Sequence, residues 1–342
     1  MLTKFTALAM GVLLSVSVSA ADMATADMAT LTRQAQSGDA EAQYMLGAMY
    51  DYGYRVRRDG QKAIEWFTKA AHQGHAKAQY NLGWMYASGQ GVRRDVQKVV
   101  EWYAKAANQG HAEAQYNLGE MYEEGEGVRQ DYKKAVEWYT KAANQGVVKS
   151  QYRLGVLYEK GHGVRQDHHK AFEWYTKAAN QGHADAQTNL GEMYKEGDGV
   201  RRDSQKAVEW YTKAANQGNA AAQNNLGVMY GNGEGVRQDY QKAFEWTTKA
   251  AHQGHAAAQT NLGWMYAEGK GVHQDYQKAH EWYTKAAHQG HAFAQLNLGR
   301  MYDNGKGVRQ NKSTAKRYYG QACDSNGMLG CDEYDMLDLL GY

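Results

Sequence analysis

From residue 39 onward, apolar and polar positions recur in one frame that returns every 36 residues. In the second copy, Ala78, Leu82, Met85 and Tyr86 fall at i, i+4, i+7 and i+8, the spacing of a buried stripe on a helix. Gly89 and Gly91 end that helix, because a left-handed C-terminal position is open to glycine at little steric cost. Asp95 then stands where a second helix needs an N-cap, and Asp59, Asp131, Asp167, Asp203, Asp239, Asp275 and Asn311 recur at the same place. Val99, Trp102, Tyr103 and Ala106 make the second apolar stripe. The frame restarts at Asp39, His75, His111, Val147, His183, Asn219, His255 and His291. The pattern predicts an all-α chain, an α-solenoid of eight helix-loop-helix repeats over residues 39–326. A half-repeat cap over residues 31–38 and a cap helix over residues 327–342, with Tyr334, Met336, Leu337 and Leu340 as its apolar members, close the ends.

Two recurring residues make no sense on an isolated helix. A glycine sits inside every first helix, from Gly47, Gly83 and Gly119 to Gly299, where it costs about 1 kcal/mol relative to alanine. Close approach of the second helix across the missing Cβ would offset that cost. The glutamine of Gln43, Gln79 and Gln115 lies beside the apolar stripe and needs a structural hydrogen-bond partner. Seven tryptophans (Trp66, Trp102, Trp138, Trp174, Trp210, Trp246 and Trp282) share one second-helix position and are assigned to the core. Trp84 and Trp264 share a first-helix position held elsewhere by Ala48, Glu120, Val156, Glu192, Val228 and Arg300. A position that varies while the frame stays fixed is where specificity can be written.

At 100° per residue, the second, fifth, ninth and twelfth residues of each first helix lie within about 80° of one another, opposite the Leu-Met-Tyr stripe. This face predicts a binding surface that includes Tyr44, Tyr80, Trp84, Tyr116, Glu120, Glu123, Tyr152, Glu159, Glu192, Trp264 and Phe293. Tyrosines offer large contact area with a polar tip, suited to an extended peptide or a sugar chain.

The strings Ala-x-Ala-Gln-x-x-Leu-Gly-x-Met-Tyr, Gly-x-Gly-Val-x-x-Asp and Lys-Ala-x-Glu-Trp-Tyr-x-Lys-Ala-Ala resemble the Sel-one-like repeat family, a relative of the tetratricopeptide repeat, over about 290 of 342 residues. The resemblance implies a right-handed superhelix acting as an adaptor or scaffold, with the face just described lining its concave groove. Bacterial members are often exported.

The first twenty residues read as a signal peptide: Lys4 opens it, Phe5 to Val18 carries no charge, and Val18-Ser19-Ala20 is a small-residue cleavage site. Ala21 to Thr30 repeats Ala-Asp-Met-Ala-Thr as a spacer. No other apolar run approaches the length of a membrane span, so the mature protein is expected to be periplasmic or secreted. In an oxidising compartment Cys323 and Cys331, the two cysteines of the chain, are expected to form a disulfide. Their spacing resembles the cysteine-rich secreted branch of the same family. That resemblance implies an alternative function, weak β-lactam binding or hydrolysis. Ser313-Thr314-Ala315-Lys316 matches a Ser-x-x-Lys motif, but its Ser-Asp-Asn and Lys-Thr-Gly partners do not occur.

Composition narrows the remaining classes. With 39 basic and 37 acidic residues there is no electrostatic basis for nucleic-acid binding. Thirteen histidines include the pairs His72 and His75, His252 and His255, and His288 and His291. Asn219 fills the same loop position, so capping explains them, and no metal or other cofactor is expected. Loop arginines (Arg57, Arg58, Arg93, Arg94, Arg129, Arg165, Arg201, Arg202, Arg237 and Arg309) form a regular series that reads as a solvated edge. The partner expected is a protein or peptide, with an envelope glycan as the second class.

Overall fold

The computed structural model describes residues 27–342, and these are helical throughout apart from connecting loops. The signal peptide and most of the spacer lie outside the described residues. The helices are α1 (Met28–Gln36), α2 (Ala40–Tyr52), α3 (Gly60–His72), α4 (Ala76–Ser88), α5 (Val96–Asn108), α6 (Ala112–Glu124), α7 (Tyr132–Asn144), α8 (Val148–Lys160) and α9 (His168–Asn180). They continue as α10 (Ala184–Glu196), α11 (Ser204–Asn216), α12 (Ala220–Asn232), α13 (Tyr240–His252), α14 (Ala256–Glu268), α15 (Tyr276–His288), α16 (Ala292–Asn304), α17 (Lys312–Asn326) and α18 (Cys331–Leu339). The chain divides into two compact units at Trp174 and Tyr175. Within each, a first helix packs most closely on its own second helix, and that helix then packs on the next first helix. This succession of nearest neighbours is an α-solenoid.

Local chemistry starts and stops the helices as the frame requires. Asp95 caps α5 by accepting from the N–H groups of Gln97 and Lys98, and His75 caps α4 by accepting from Ala78 through Nδ1. His111, His183 and His255 make the same bond, as does Asn219 through its side-chain oxygen. Gly89 closes α4 with φ at 78°, a left-handed conformation that an L side chain rarely adopts.

The buried glutamines fasten neighbouring repeats. Gln115 donates from Nε2 to the Ala107 carbonyl at the end of α5, 3.0 Å away, and accepts from Gln145 at 2.8 Å. Gln79 and Gln187 repeat the pair of contacts. One carbonyl left over at each helix end is satisfied in this way.

The glycine inside each first helix is a close-approach position. A Cβ built on Gly119 would lie 2.7 Å from the Tyr139 ring, and Gly47, Gly83, Gly191 and Gly263 meet Phe67, Tyr103, Tyr211 and Tyr283 at the same distance. In α3, α5, α7 and α11 the fully buried ring is therefore this residue (Phe67, Tyr103, Tyr139, Tyr211) and not the tryptophan before it, while α13 places Thr247 there, opposite Gly227. Trp102 is buried in the core, while Trp66, Trp138, Trp246 and Trp282 are half-buried and pack against the core clusters from their edge. Each tryptophan face is covered by the lysine three residues on, as with Lys141 3.8 Å from the Trp138 ring centre and Lys213 3.8 Å from that of Trp210.

At the N-terminal end α1 buries Leu31 and Ala35 against the first repeat. At the other end α18 packs through Leu337, which is buried, while Met336 and Leu340 are exposed, contrary to the expectation that they pack. Cys323 and Cys331 stand within disulfide distance, with Cα atoms 4.9 Å apart. No described helix is long and apolar enough to cross a membrane.

Candidate binding surface

In the first unit, the successive first helices α6 and α8, with α7 between them, bring a group of polar and aromatic side chains together. On α6, Tyr116, Glu120 and Glu123 recur at i, i+4 and i+7 and so share one face. The Tyr116 hydroxyl donates to Glu120 at 2.5 Å. Tyr139, fully buried on α7, donates its hydroxyl to the other acid, Glu123, at 2.6 Å. Arg153, on α8, reaches both carboxylates, with one guanidinium nitrogen 3.8 Å from Glu120 and another 3.8 Å from Glu123. Lys149 stands 5.8 Å from the centre of the Tyr116 ring. On α4, Trp84 takes the register position of Glu120 one repeat earlier, and its Nε1–H is buried without a hydrogen-bond partner.

Burial sets the electrostatics. Desolvation raises the Glu120 carboxyl above its ordinary range, opposed by the Tyr116 hydrogen bond and by the Arg153 charge. Burial likewise pushes the Tyr116 and Tyr139 phenols up, reinforced by the carboxylates beside them. Both phenols therefore remain protonated donors at neutral pH. Distances of 3.8 Å leave the Arg153 pairs with the two acids longer than hydrogen bonds, and the Tyr116 phenol is a further hydrogen-bonding neighbour of its guanidinium. Where α6 meets α8 the face offers a donor (Arg153) and acceptors (Glu120 and Glu123) beside the Tyr116 ring, the mixture that a peptide main chain and its side chains require.

The other residues anticipated for the surface are placed differently. Tyr44 and Tyr80 are 1% and 3% exposed, which removes them from any open face. Tyr44 stacks on His75, and Tyr80 on His111, each with ring centres 4.6 Å apart. The fifth residue of the helix thus faces the N-cap of the following repeat, because each first helix is covered by a neighbouring repeat as well as by its own partner. Tyr152 and Glu159 on α8 are half-buried. Glu192, Trp264 and Phe293 belong to the second unit. Glu192 is exposed and accepts from Tyr211 and Asn225 at 3.3 and 3.4 Å. Trp264 and Phe293 are 44% and 53% exposed.

Arg153 was absent from the sequence-derived face, although a signal existed: it interrupts a position that reads Asn81, Asn117, Asn189, Asn225, Asn261 and Asn297 in other repeats. Among the described residues no group of three or more His, Cys, Asp or Glu side chains could hold a metal ion. The loop arginines are exposed; Arg202 pairs with Glu234 at 2.9 Å and Arg58 donates to the Asp51 carbonyl at 2.8 Å. Lys316 of the Ser-x-x-Lys match donates to Asp338 and to the Tyr342 carbonyl, which ties it to the cap.

The Sel1 repeat profile matches residues 40–75, 76–111, 112–147, 148–183, 184–219, 220–255, 256–291 and 292–327. Among solved structures, a protective antigen present in uropathogenic Escherichia coli strains and displaying an SLR fold is 39% identical with a TM-score of 0.79. That match covers 88% of this chain, which spans 65% of the antigen's length. A Sel1 repeat protein from Oxalobacter formigenes is 36% identical with a TM-score of 0.70, over 91% of this chain and 90% of its own. No curated protein matches the sequence.

Proposed function

Because the chain belongs to the Sel1 repeat family, whose members are generally protein-interaction scaffolds, we propose that it is an exported scaffold that binds a protein or peptide through the α4–α6–α8 face. The observation that carries this reading is the cluster where α6 meets α8: the Arg153 guanidinium stands 3.8 Å from both Glu120 and Glu123, beside the Tyr116 phenol. Main-chain carbonyls of an extended segment would satisfy Arg153. A basic side chain would meet Glu120 and Glu123.

The test is affinity capture from envelope extract, followed by mass spectrometry. A protein captured by the wild-type chain is expected to be lost with Trp84→Ala combined with Arg153→Ala, while helical circular dichroism is retained. Arg129→Glu with Arg165→Glu, on the loop edge, should leave capture intact. Retained capture by a folded Trp84→Ala, Arg153→Ala protein would move the surface elsewhere.

A further inference from the structure

Six repeats share a contact whose absence in the eighth leaves a shaped vacancy. In each, the glutamine near the start of the first helix accepts, through Oε1, a hydrogen bond from the glutamine that closes the second helix. Gln73 donates to Gln43, Gln109 to Gln79, Gln145 to Gln115, Gln217 to Gln187, Gln253 to Gln223 and Gln289 to Gln259, at 2.6–2.8 Å. Gln145 and Gln289 use the same amide nitrogen a second time, on the carbonyls of Gly110 and Gly254 at 3.0 and 3.1 Å. One carboxamide NH2 thus bridges two acceptors.

In the eighth repeat the donor position is Ser325, whose side chain is too short to make this bridge. Its would-be acceptor, Gln295, is 6% exposed, and Oε1 is buried with no hydrogen-bond partner. The Nε2 contact to the Ala287 carbonyl is also long, 3.5 Å against 3.0 Å at Gln187. Gln295 forms part of the wall of a cavity of about 560 Å³ whose lining includes Gly290, His288, Arg317, Asp324 and Ser325. Gly290 is the register equivalent of Gly110 and Gly254.

We propose that this cavity binds a primary carboxamide, the side chain of an asparagine or glutamine in a peptide partner. The amide takes the place that the closing glutamine holds in the earlier repeats. Its two N–H groups would serve Gln295 Oε1 and the Gly290 carbonyl. Its oxygen would accept from Arg317, a donor-only side chain in the same wall. A lysine ammonium could meet the two acceptors but has nothing to offer Arg317, and a carboxylate has no donor for Gln295. The site lies within the second unit and does not depend on the α4–α6–α8 reading.

Propionamide and N-acetyl-glutamine N′-methylamide, titrated into the full chain, test the proposal through the nitrogen-15 side-chain amide resonances. A saturable shift of the Gln295 resonance is expected with both amides. The response to propionate and to propylammonium should be at least ten-fold weaker. Ser325→Gln supplies the missing carboxamide from within and should abolish the shift while raising Tm. No saturable shift with either amide would overturn the proposal, as would equal responses to propionamide and propionate. A shift undiminished in a Ser325→Gln protein with raised Tm would place amide binding elsewhere. The propionamide and propionate pair on the wild-type chain decides the matter by itself if that substitution leaves Tm unchanged.

Discussion

Glu120 shows how one side chain joins stability to recognition. Its carboxyl is raised above its unfolded value mainly by burial. Below the unfolded pKa the acid is neutral in both states and carries no penalty. As pH rises through the raised folded pKa, the folded state must hold a poorly solvated charge and stability falls. Glu120→Gln keeps an oxygen for the Tyr116 hydroxyl and removes the charge. The substitution is expected to leave Tm unchanged at acid pH and to raise it progressively toward a plateau at neutral pH. Thermal melts of both proteins across this range check the sign; a constant offset at every pH would refute the titration argument. Gly119 is the second residue-scale case. Gly119→Ala places a methyl group 2.7 Å from the buried Tyr139 ring, and overpacking of this kind typically costs about 1–3 kcal/mol. Improved helix propensity returns about 1 kcal/mol at most. Chemical denaturation should report net destabilisation, and an unchanged midpoint would mean that the ring moves away freely.

Single helices here are held less by their own propensity than by the contacts between them. The glutamine that opens each first helix satisfies a carbonyl at the end of the preceding second helix, so a cap on one element is supplied by another. The terminal helix α18 has no following repeat among the described residues, and it buries Leu337 while Met336, Leu339 and Leu340 stay exposed. Its attachment rests on the Cys323 and Cys331 pair and on Lys316, which reaches Asp338 and the Tyr342 carbonyl. Closing so short a loop contributes about 2–3 kcal/mol in the chain-entropy account. Thiol counting on the denatured, non-reduced protein is expected to find no free thiol. Reduction should then increase hydrogen exchange in α18 before any other helix. Two titratable thiols would remove the covalent tie.

At the scale of the whole molecule, nearest-neighbour stacking means that each unit carries its own core and no residue depends on one large interior. Such an array can vary its exposed positions repeat by repeat without endangering the frame. The first unit gathers Tyr116, Glu120, Glu123 and Arg153 in that way. For the exported scaffold proposed above, N-terminal sequencing of the protein recovered from the cell envelope should begin at Ala21. A chain still beginning at Met1 in that fraction would exclude cleavage after Ala20.

The sequence by itself determined the repeat length, the helix pairs, the aspartate and histidine caps and the close-approach role of the inner glycine. All of these depend on residues within one repeat, and most copies state the same rule, with Val147 and His291 making no side-chain cap bond. Tertiary structure alone decided which outward positions stay open. Helical angles placed Tyr44 and Tyr80 on the side away from the core stripe, yet the N-cap histidine of the following repeat stacks over each of them. The tryptophans do face the core, but their half-burial was decided by the fold, since a helical stripe reveals the direction of packing and not how far the neighbour extends. The sequence marks Arg153 as a departure from a recurrent asparagine, but its role is decided only by the packing of α8 beside α6, where its charge meets two acids from another repeat. Periodicity reports the environment of a residue averaged over copies; a binding surface is made where one copy differs from the next, and that difference acquires chemistry only through contact across repeats.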